Sequence, residues 1–197
     1  MPEQNDPTKS TRAAPNLEPR AEPGPGEKLP PGERPSITRW LILAAIVIAL
    51  DQWSKFAVLA RFRETERLPV IDGLFDLTLY YNTGAAFSFL AGAGGWQRWF
   101  FTIFGLAAAG FIFYLIRESR QLKLFSFGLA MILGGALGNV IDRIIHGKVV
   151  DFLLFFQHPY YFPAFNLADS AITLGAICLI TDEILRWRAS RKHPATP

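Results

Sequence analysis

One cysteine and three scattered histidines are all that this 197-residue sequence offers to disulfide or zinc chemistry. Cys178 has no second cysteine to pair with, and His146, His158 and His193 lack the close spacings that hold zinc, so no internal disulfide, metal or cofactor is expected. There is no basic stripe either. The formal charge is +3, and Lys and Arg gather at the ends of apolar runs, which argues against nucleic acid and for a membrane. No segment repeats and the halves do not mirror each other, which sets aside solenoids and inverted-repeat transporters. Large apolar residues are nearly missing from Met1 to Pro35, where nine of the fourteen prolines lie among Glu, Lys, Arg and Asn. Such a segment cannot bury enough surface to offset its ordering entropy, and residues 1–38 read as a disordered cytoplasmic tail.

What the chain does have is apolar residues in blocks. A helix needs about 20 mostly apolar residues to cross the hydrocarbon core. Four segments approach that length: Trp40 to Ala60, Trp99 to Ile116, Leu124 to Ile141 and Phe165 to Leu185. The second is uncharged between Arg98 and Arg117, whereas the first and fourth carry ionisable residues that a simple anchor would avoid. The expected fold is an all-α membrane protein of four transmembrane helices with a small extracytoplasmic β-cradle. It divides into the tail, a four-helix membrane domain at 39–188 and a cytoplasmic C-terminal tail at 189–197.

Basic residues set the direction. Arg34 and Arg39 precede the first span, Arg117, Arg120 and Lys123 fill the second connection, and Arg186, Arg188, Arg191 and Lys192 follow the fourth span. By the positive-inside rule these regions, and both termini, face the cytoplasm, although Arg61, Arg63 and Arg67 lie on the opposite side. The rival reading of Trp40 to Leu50 is a cleaved secretory signal. The long tail before it, and Asp51, Gln52, Ser54 and Lys55 directly after it, favour a retained span. The first outer connection contains Leu77-Thr78-Leu79-Tyr80, a strand-like alternation after an Asp72-Gly73 turn signal. The second holds Phe152 to Phe156 and Tyr160-Tyr161-Phe162, which suit the headgroup level.

Carboxylates inside a membrane are costly and need a partner or a job. Lys55 follows Asp51 by one helical turn, so the two form a self-compensating ion pair or line a site. Gly134-Gly135-Ala136-Leu137-Gly138 gives a small-residue face for a neighbouring helix, followed by Asn139, Asp142 and Arg143. Here the plain alternatives are inter-helix glue for Asn139 and mutual compensation of Asp142 and Arg143. Asp151 sits in an apolar stretch, where burial raises a carboxyl pKa. Asp169 follows Asn166 by three residues, a spacing that suits a capping box as well as a catalytic role. The third span ends near Asp142 and the fourth begins near Asn166, so Asp151 and Asp169 fall at one membrane depth. Two carboxylates there can share a proton, one activating water while the other protonates or polarises a scissile carbonyl.

Five strings carry a family resemblance: Asp51-Gln52-Trp53-Ser54-Lys55, Asn82-Thr83-Gly84-Ala85-Ala86-Phe87-Ser88, Gly134 through Arg143, Val149-Val150-Asp151-Phe152, and Phe165-Asn166-Leu167-Ala168-Asp169-Ser170. In that order, from about Arg39 to Arg188, the chain resembles the lipoprotein signal peptidases, bacterial membrane aspartyl peptidases. The resemblance implies cleavage of diacylglyceryl-modified prolipoproteins just before the lipidated cysteine, in the bacterial inner membrane, with membrane lipid as surroundings and the chain acting as a monomer. It implies Asp151 and Asp169 as the catalytic pair. Asn82, Gly84, Asn139, Arg143 and Asn166 fall on supporting positions, and Asp51, Lys55 and Asp142 on further structural or site-lining ones. Cys178 is then an inert packing residue. The long proline-rich tail departs from the family's usually short start. The alternatives are a small proton-coupled membrane carrier, in which the aspartates relay protons, and a non-catalytic scaffold presenting its outer loops.

Overall fold

The computed structural model describes residues 35–84 and 94–192. Residues 1–34, Ala85 to Ser88 of the second string, and residues 193–197 with His193 lie outside that description. The order of elements is α1 (Thr38–Arg61), β1 (Arg67–Ile71), β2 (Phe75–Asn82), α2 (Gln97–Ser119), α3 (Lys123–His146), β3 (Val149–Gln157), β4 (Tyr160–Tyr161) and α4 (Leu167–Lys192).

Three of the helices, α1, α2 and α3, are long and apolar enough to cross a membrane, with mean hydropathies of 1.7, 2.0 and 1.9. Each covers its expected segment and adds residues at its ends. The largest addition is to α3, which runs past Ile141 and carries Asp142 and Arg143 inside the helix. It stops at Gly147, whose φ of 75° is a left-handed cap closed by Gly147 N–H donating to the Arg143 carbonyl at 3.1 Å. The apolar stretch of α4 is bounded by Asp169 and Ser170 at one end and by Asp182 and Glu183 at the other.

Helix α3 is central and packs against the other three. Its glycines make this possible. A Cβ on Gly134 would stand 2.8 Å from the Ala44 carbonyl of α1, and one on Gly128 2.7 Å from the Gly175 carbonyl of α4. Close backbone approach of this kind is the usual means of helix association where lipid removes the hydrophobic drive. Cys178 joins that α3 to α4 contact, its Cβ 3.2 Å from a Cβ built on Gly128. By contrast α2 leaves Phe104, Ile103 and Phe111 exposed on its outer surface, as expected of a helix apolar all round.

At one end of the bundle, where α1 and α3 finish and α4 begins, sits a four-stranded antiparallel sheet in the order β1-β2-β3-β4. Val58 of α1 packs with Leu79, Val150 and Phe152 to join sheet and bundle. The expected turn is present, with Gly73 at φ 74° between β1 and β2. The aromatic run from Phe152 to Phe156 has a secondary structure that the sequence reading did not specify. It forms most of β3, paired to β2 along Phe75↔Phe155, Leu77↔Leu153 and Tyr80↔Asp151.

Candidate active site

The site grows from the start of α4. Asn166 precedes the helix, and its Oδ1 accepts the Asp169 N–H at 2.9 Å while Asp169 Oδ2 accepts the Asn166 N–H at 3.3 Å. This reciprocal pair is a capping box, so the capping role foreseen for Asp169 is present. Asp51 of α1 adds to it, its Oδ1 accepting the Ala168 N–H at 2.9 Å. The free N–H groups of a helix start thus receive two carboxylates, each favoured there by the helix dipole.

Asn166 also reaches the second aspartate. With its Oδ1 committed to the helix, its Nδ2 donates to Asp151 Oδ1 at 2.7 Å and lies 3.2 Å from both the Val150 carbonyl and Asn139 Oδ1. Asp151 is carried on β3 opposite Tyr80, and the Asn82 side chain hydrogen-bonds it as well. Asn139 of α3 completes the ring. Its Oδ1 accepts from Lys55 Nζ at 3.1 Å, which leaves its Nδ2 to donate to Asp169 Oδ1 at 2.8 Å. An ammonium can only donate, so Lys55 settles which way the Asn139 amide faces.

Lys55 is buried between Asp51 Oδ2 and Asp142 Oδ2, 2.8 Å from each. The ion pair foreseen on α1 is therefore a triad that fastens α1 to α3. Asp142 makes no salt bridge to Arg143 and pairs with Lys55 instead. Its second oxygen accepts from Gln52 Nε2 at 2.9 Å, and Oδ2 also accepts the Val150 N–H at 3.0 Å. Neighbouring helical positions point apart, which is why the Asp142 to Arg143 pairing fails. Arg143 instead donates through Nη2 to the Gly84 carbonyl at 2.9 Å and through Nη1 to the Asn139 carbonyl at 3.3 Å. Gly84 thus enters through its backbone, and its N–H donates to Asn82 Oδ1 at 2.9 Å. Gln52 was missed. Its bonds to Asp51, Asp142 and the Gly138 carbonyl tie the triad together, and its place in the Asp51-Gln52-Trp53-Ser54-Lys55 string was the signal that could have found it.

Asn82, Asn139, Arg143, Asp151 and Asp169 line one cavity of 730 Å³, which continues along Ile172, Leu174 and Ile177 of α4. That volume is in the range of ligand sites. Asp51, Lys55, Asp142 and Asn166 stand behind this lining. Asp151 is almost wholly buried, and that burial, reinforced by the Asp169 charge, pushes its carboxyl up to about 7. The Asn82 hydrogen bond, the Lys55 charge and the Asn166 hydrogen bond pull the other way. Such a site holds one carboxyl that keeps its proton near neutrality beside one whose oxygens accept from two N–H groups. Among the described residues no group of three or more His, Cys, Asp or Glu side chains is placed to hold a metal ion.

A family model described as signal peptidase (SPase) II matches residues 43–185, a range that contains the whole cavity lining. The lipoprotein signal peptidase of Ralstonia nicotianae is 58% identical over 149 residues, covering 76% of this chain and 86% of its own. That of Neisseria meningitidis serogroup C (strain 053442) is 52% identical over 157 residues, 80% of this chain and 96% of its own. A solved structure described as a bacterial membrane enzyme determined by the in meso method matches with a TM-score of 0.71 at 29% identity. It covers 83% of this chain and 97% of that one.

Proposed function

The chain belongs to the signal peptidase II family of aspartic peptidases, and from that premise we propose that it removes signal peptides from diacylglyceryl-modified prolipoproteins by water activation on an Asp151 and Asp169 dyad. The observation that carries the proposal is the double role of Asn166, which caps α4 through Asp169 and donates to Asp151, joining both carboxyls at one cavity.

In this reading Asp169 is the resting carboxylate and Asp151 holds the shared proton. Asp169 accepts a proton from water as the water oxygen attacks the scissile carbonyl carbon. Asp151 donates to the carbonyl oxygen as charge develops on it. Collapse of the tetrahedral species breaks the C–N bond, the cysteine nitrogen leaves as an amine with the proton taken up by Asp169, and Asp151 recovers its own. Arg143, anchored on Gly84, stands at the cavity edge as a cation for carbonyl or ester oxygens. The apolar stretch of the cavity along Ile172, Leu174 and Ile177 suits the acyl chains and the signal peptide.

We assign residues 39–188 to the peptidase domain, with α4 as a fourth membrane crossing, both termini in the cytoplasm, and the sheet and dyad on the extracytoplasmic side of the inner membrane. The basic flanks support this: Arg39 and Arg120 meet at one end of the bundle, where Arg39 Nη2 donates to the Arg120 carbonyl at 3.2 Å, while the sheet occupies the other end. A proton carrier would spread its acids through the bilayer, whereas Asp51, Asp142, Asp151 and Asp169 are gathered at the sheet end.

The test is incubation of the purified protein in detergent with a diacylglyceryl-modified prolipoprotein, followed by mass spectrometry of the products. The expected product begins at the lipidated cysteine, and precursor without the lipid is cut slowly or not at all. Cleavage elsewhere, or equal rates with unlipidated precursor, contradicts the proposal. Proton flux in liposomes without cleavage would favour a carrier.

A further inference from the structure

The acyl and signal-peptide arm accounts for only one approach to Asp151. A second cavity of 370 Å³ shares Asn82, Asp151 and the segment Phe162-Pro163-Ala164 with the first, and extends over the sheet to Arg67, Tyr80 and Tyr161. The two arms differ in chemistry. The first follows the apolar flank of α4, where Leu174 and Ile177 are exposed, and the second is walled by phenols and one guanidinium. A polypeptide cut at Asp151 has to leave the reacting centre in two directions. Its membrane-embedded half matches the apolar arm, which leaves the arm over the sheet for the other half.

Arg67 gives that second arm a sign. Its Nη2 lies 3.4 Å from the Tyr80 hydroxyl, and its guanidinium stands over the Tyr161 ring at 5.1 Å from the centroid. Both partners are phenol side chains rather than carboxylates, and they orient the cation through a hydrogen bond and a ring face. The adjacent Glu66 makes no salt bridge to it, and its carboxylate accepts the Arg63 backbone N–H at 2.8 Å instead. The register sets the span. Arg67 is opposite Thr78 on β2, and Asp151 is opposite Tyr80, two residues along. With strands about 4.8 Å apart and residues about 3.4 Å apart along a strand, the two Cα atoms are about 12 Å apart, three to four residues of extended chain.

We infer that the cavity over the sheet is the subsite for the precursor chain on the carboxyl side of the scissile bond, and that Arg67 there favours an acidic side chain at about the second to fourth residue after the cut. The inference rests on the peptidase reading above. A lipid phosphate could also meet an arginine, but one seated here would block this path from Asp151 over the sheet.

Diacylglyceryl-modified precursor peptides that differ only in Glu, Gln or Lys at the second, third or fourth residue after the scissile bond test it. They are cut in detergent at low salt by wild type, Arg67→Gln and Arg67→Glu. Arg67 is exposed, and thermal unfolding in detergent checks that both variants fold like wild type. Wild type should favour Glu over Lys by about three- to five-fold in kcat/KM, the scale of a solvated ion pair. The preference should vanish in Arg67→Gln and reverse in Arg67→Glu. Equal wild-type rates on Glu and Lys peptides overturn the subsite and leave the peptidase standing. So does a uniform loss in the variants that appears only in anionic-lipid nanodiscs, which would assign Arg67 to headgroups. Failure of wild type to cut any peptide overturns both.

Discussion

Asn166 holds Asp151 Oδ1 at 2.7 Å with the same side chain whose oxygen caps α4, so the position of one aspartate is tied to the helix start that carries the other. A single residue therefore sets both the stability of a helix terminus and the geometry of the site, and the two roles can be separated.

Asn166→Ala should cost about 1 kcal/mol through loss of the cap and lower cleavage by at least about 100-fold through loss of positioning at the dyad. Asn166→Ser keeps a capping oxygen but is too short to reach Asp151. Thermal unfolding in detergent should show Ser recovering most of the lost stability, while the cleavage assay shows no comparable recovery. Recovery of activity in Asn166→Ser would mean that the bond to Asp151 is dispensable.

The pH dependence follows from Asp151. Its carboxyl is raised from the ordinary range to about 7, chiefly by burial and next by the Asp169 charge. A group whose folded pKa is raised contributes stability that is complete below its unfolded value. That contribution declines as pH rises toward about 7, because the folded state there holds a proton the unfolded chain has lost. Cleavage should instead fall as pH rises through about 7, where the folded Asp151 gives up the one proton the dyad needs. Carboxyl-resolved infrared titration checks the site assignment. In Asp169→Asn the remaining Asp151 should titrate below its wild-type value but still above an ordinary carboxylate. A higher-titrating carboxyl in Asp151→Asn than in Asp169→Asn would reverse the roles.

Lys55→Met should be destabilising by about 3–5 kcal/mol, because it strands the buried carboxylates of Asp51 and Asp142. Adding Asp51→Asn and Asp142→Asn removes those charges and should restore much of the loss in a thermal melt. If the triple variant melts no higher than Lys55→Met, the triad is not the source of the effect.

The apolar blocks of α1, α2 and α3 could be read directly, because helices in lipid must be apolar whatever they pack against. The capping box was legible for a similar reason, since it is a local pattern of Asn166 and Asp169. What escaped was non-local. Val149 to Phe156 has no apolar and polar alternation because β3 is paired on both sides and largely buried, so its aromatic residues resembled an interfacial belt. Asp142 and Arg143 are adjacent in sequence, yet their partners come from α1 and from Gly84. The bond of Gln52 to Asp142 spans ninety positions, which no local pattern reveals.

Glycine positions offer a packing test. A Cβ on Gly138 would lie 2.6 Å from Asp51 Oδ2, whereas one on Gly110 of α2 meets nothing within 4 Å. Gly138→Ala should destabilise by about 1–3 kcal/mol and reduce cleavage by displacing Asp51 from the start of α4. Gly110→Ala should be neutral or stabilising by about 0.5–1 kcal/mol. Equal melting temperatures for the two variants would contradict the close α1 to α3 contact.

The account turns on whether Asp151 and Asp169 act as one unit, and single-turnover cleavage of a diacylglyceryl-modified prolipoprotein by Asp151→Asn, Asp169→Asn and the double variant measures this directly. Each single variant should lose at least about 1,000-fold in rate while still binding precursor, and the double variant should lose little more than either, because residues acting together are not additive. Single variants that cleave within about tenfold of wild type, or losses that multiply in the double variant, would contradict the dyad.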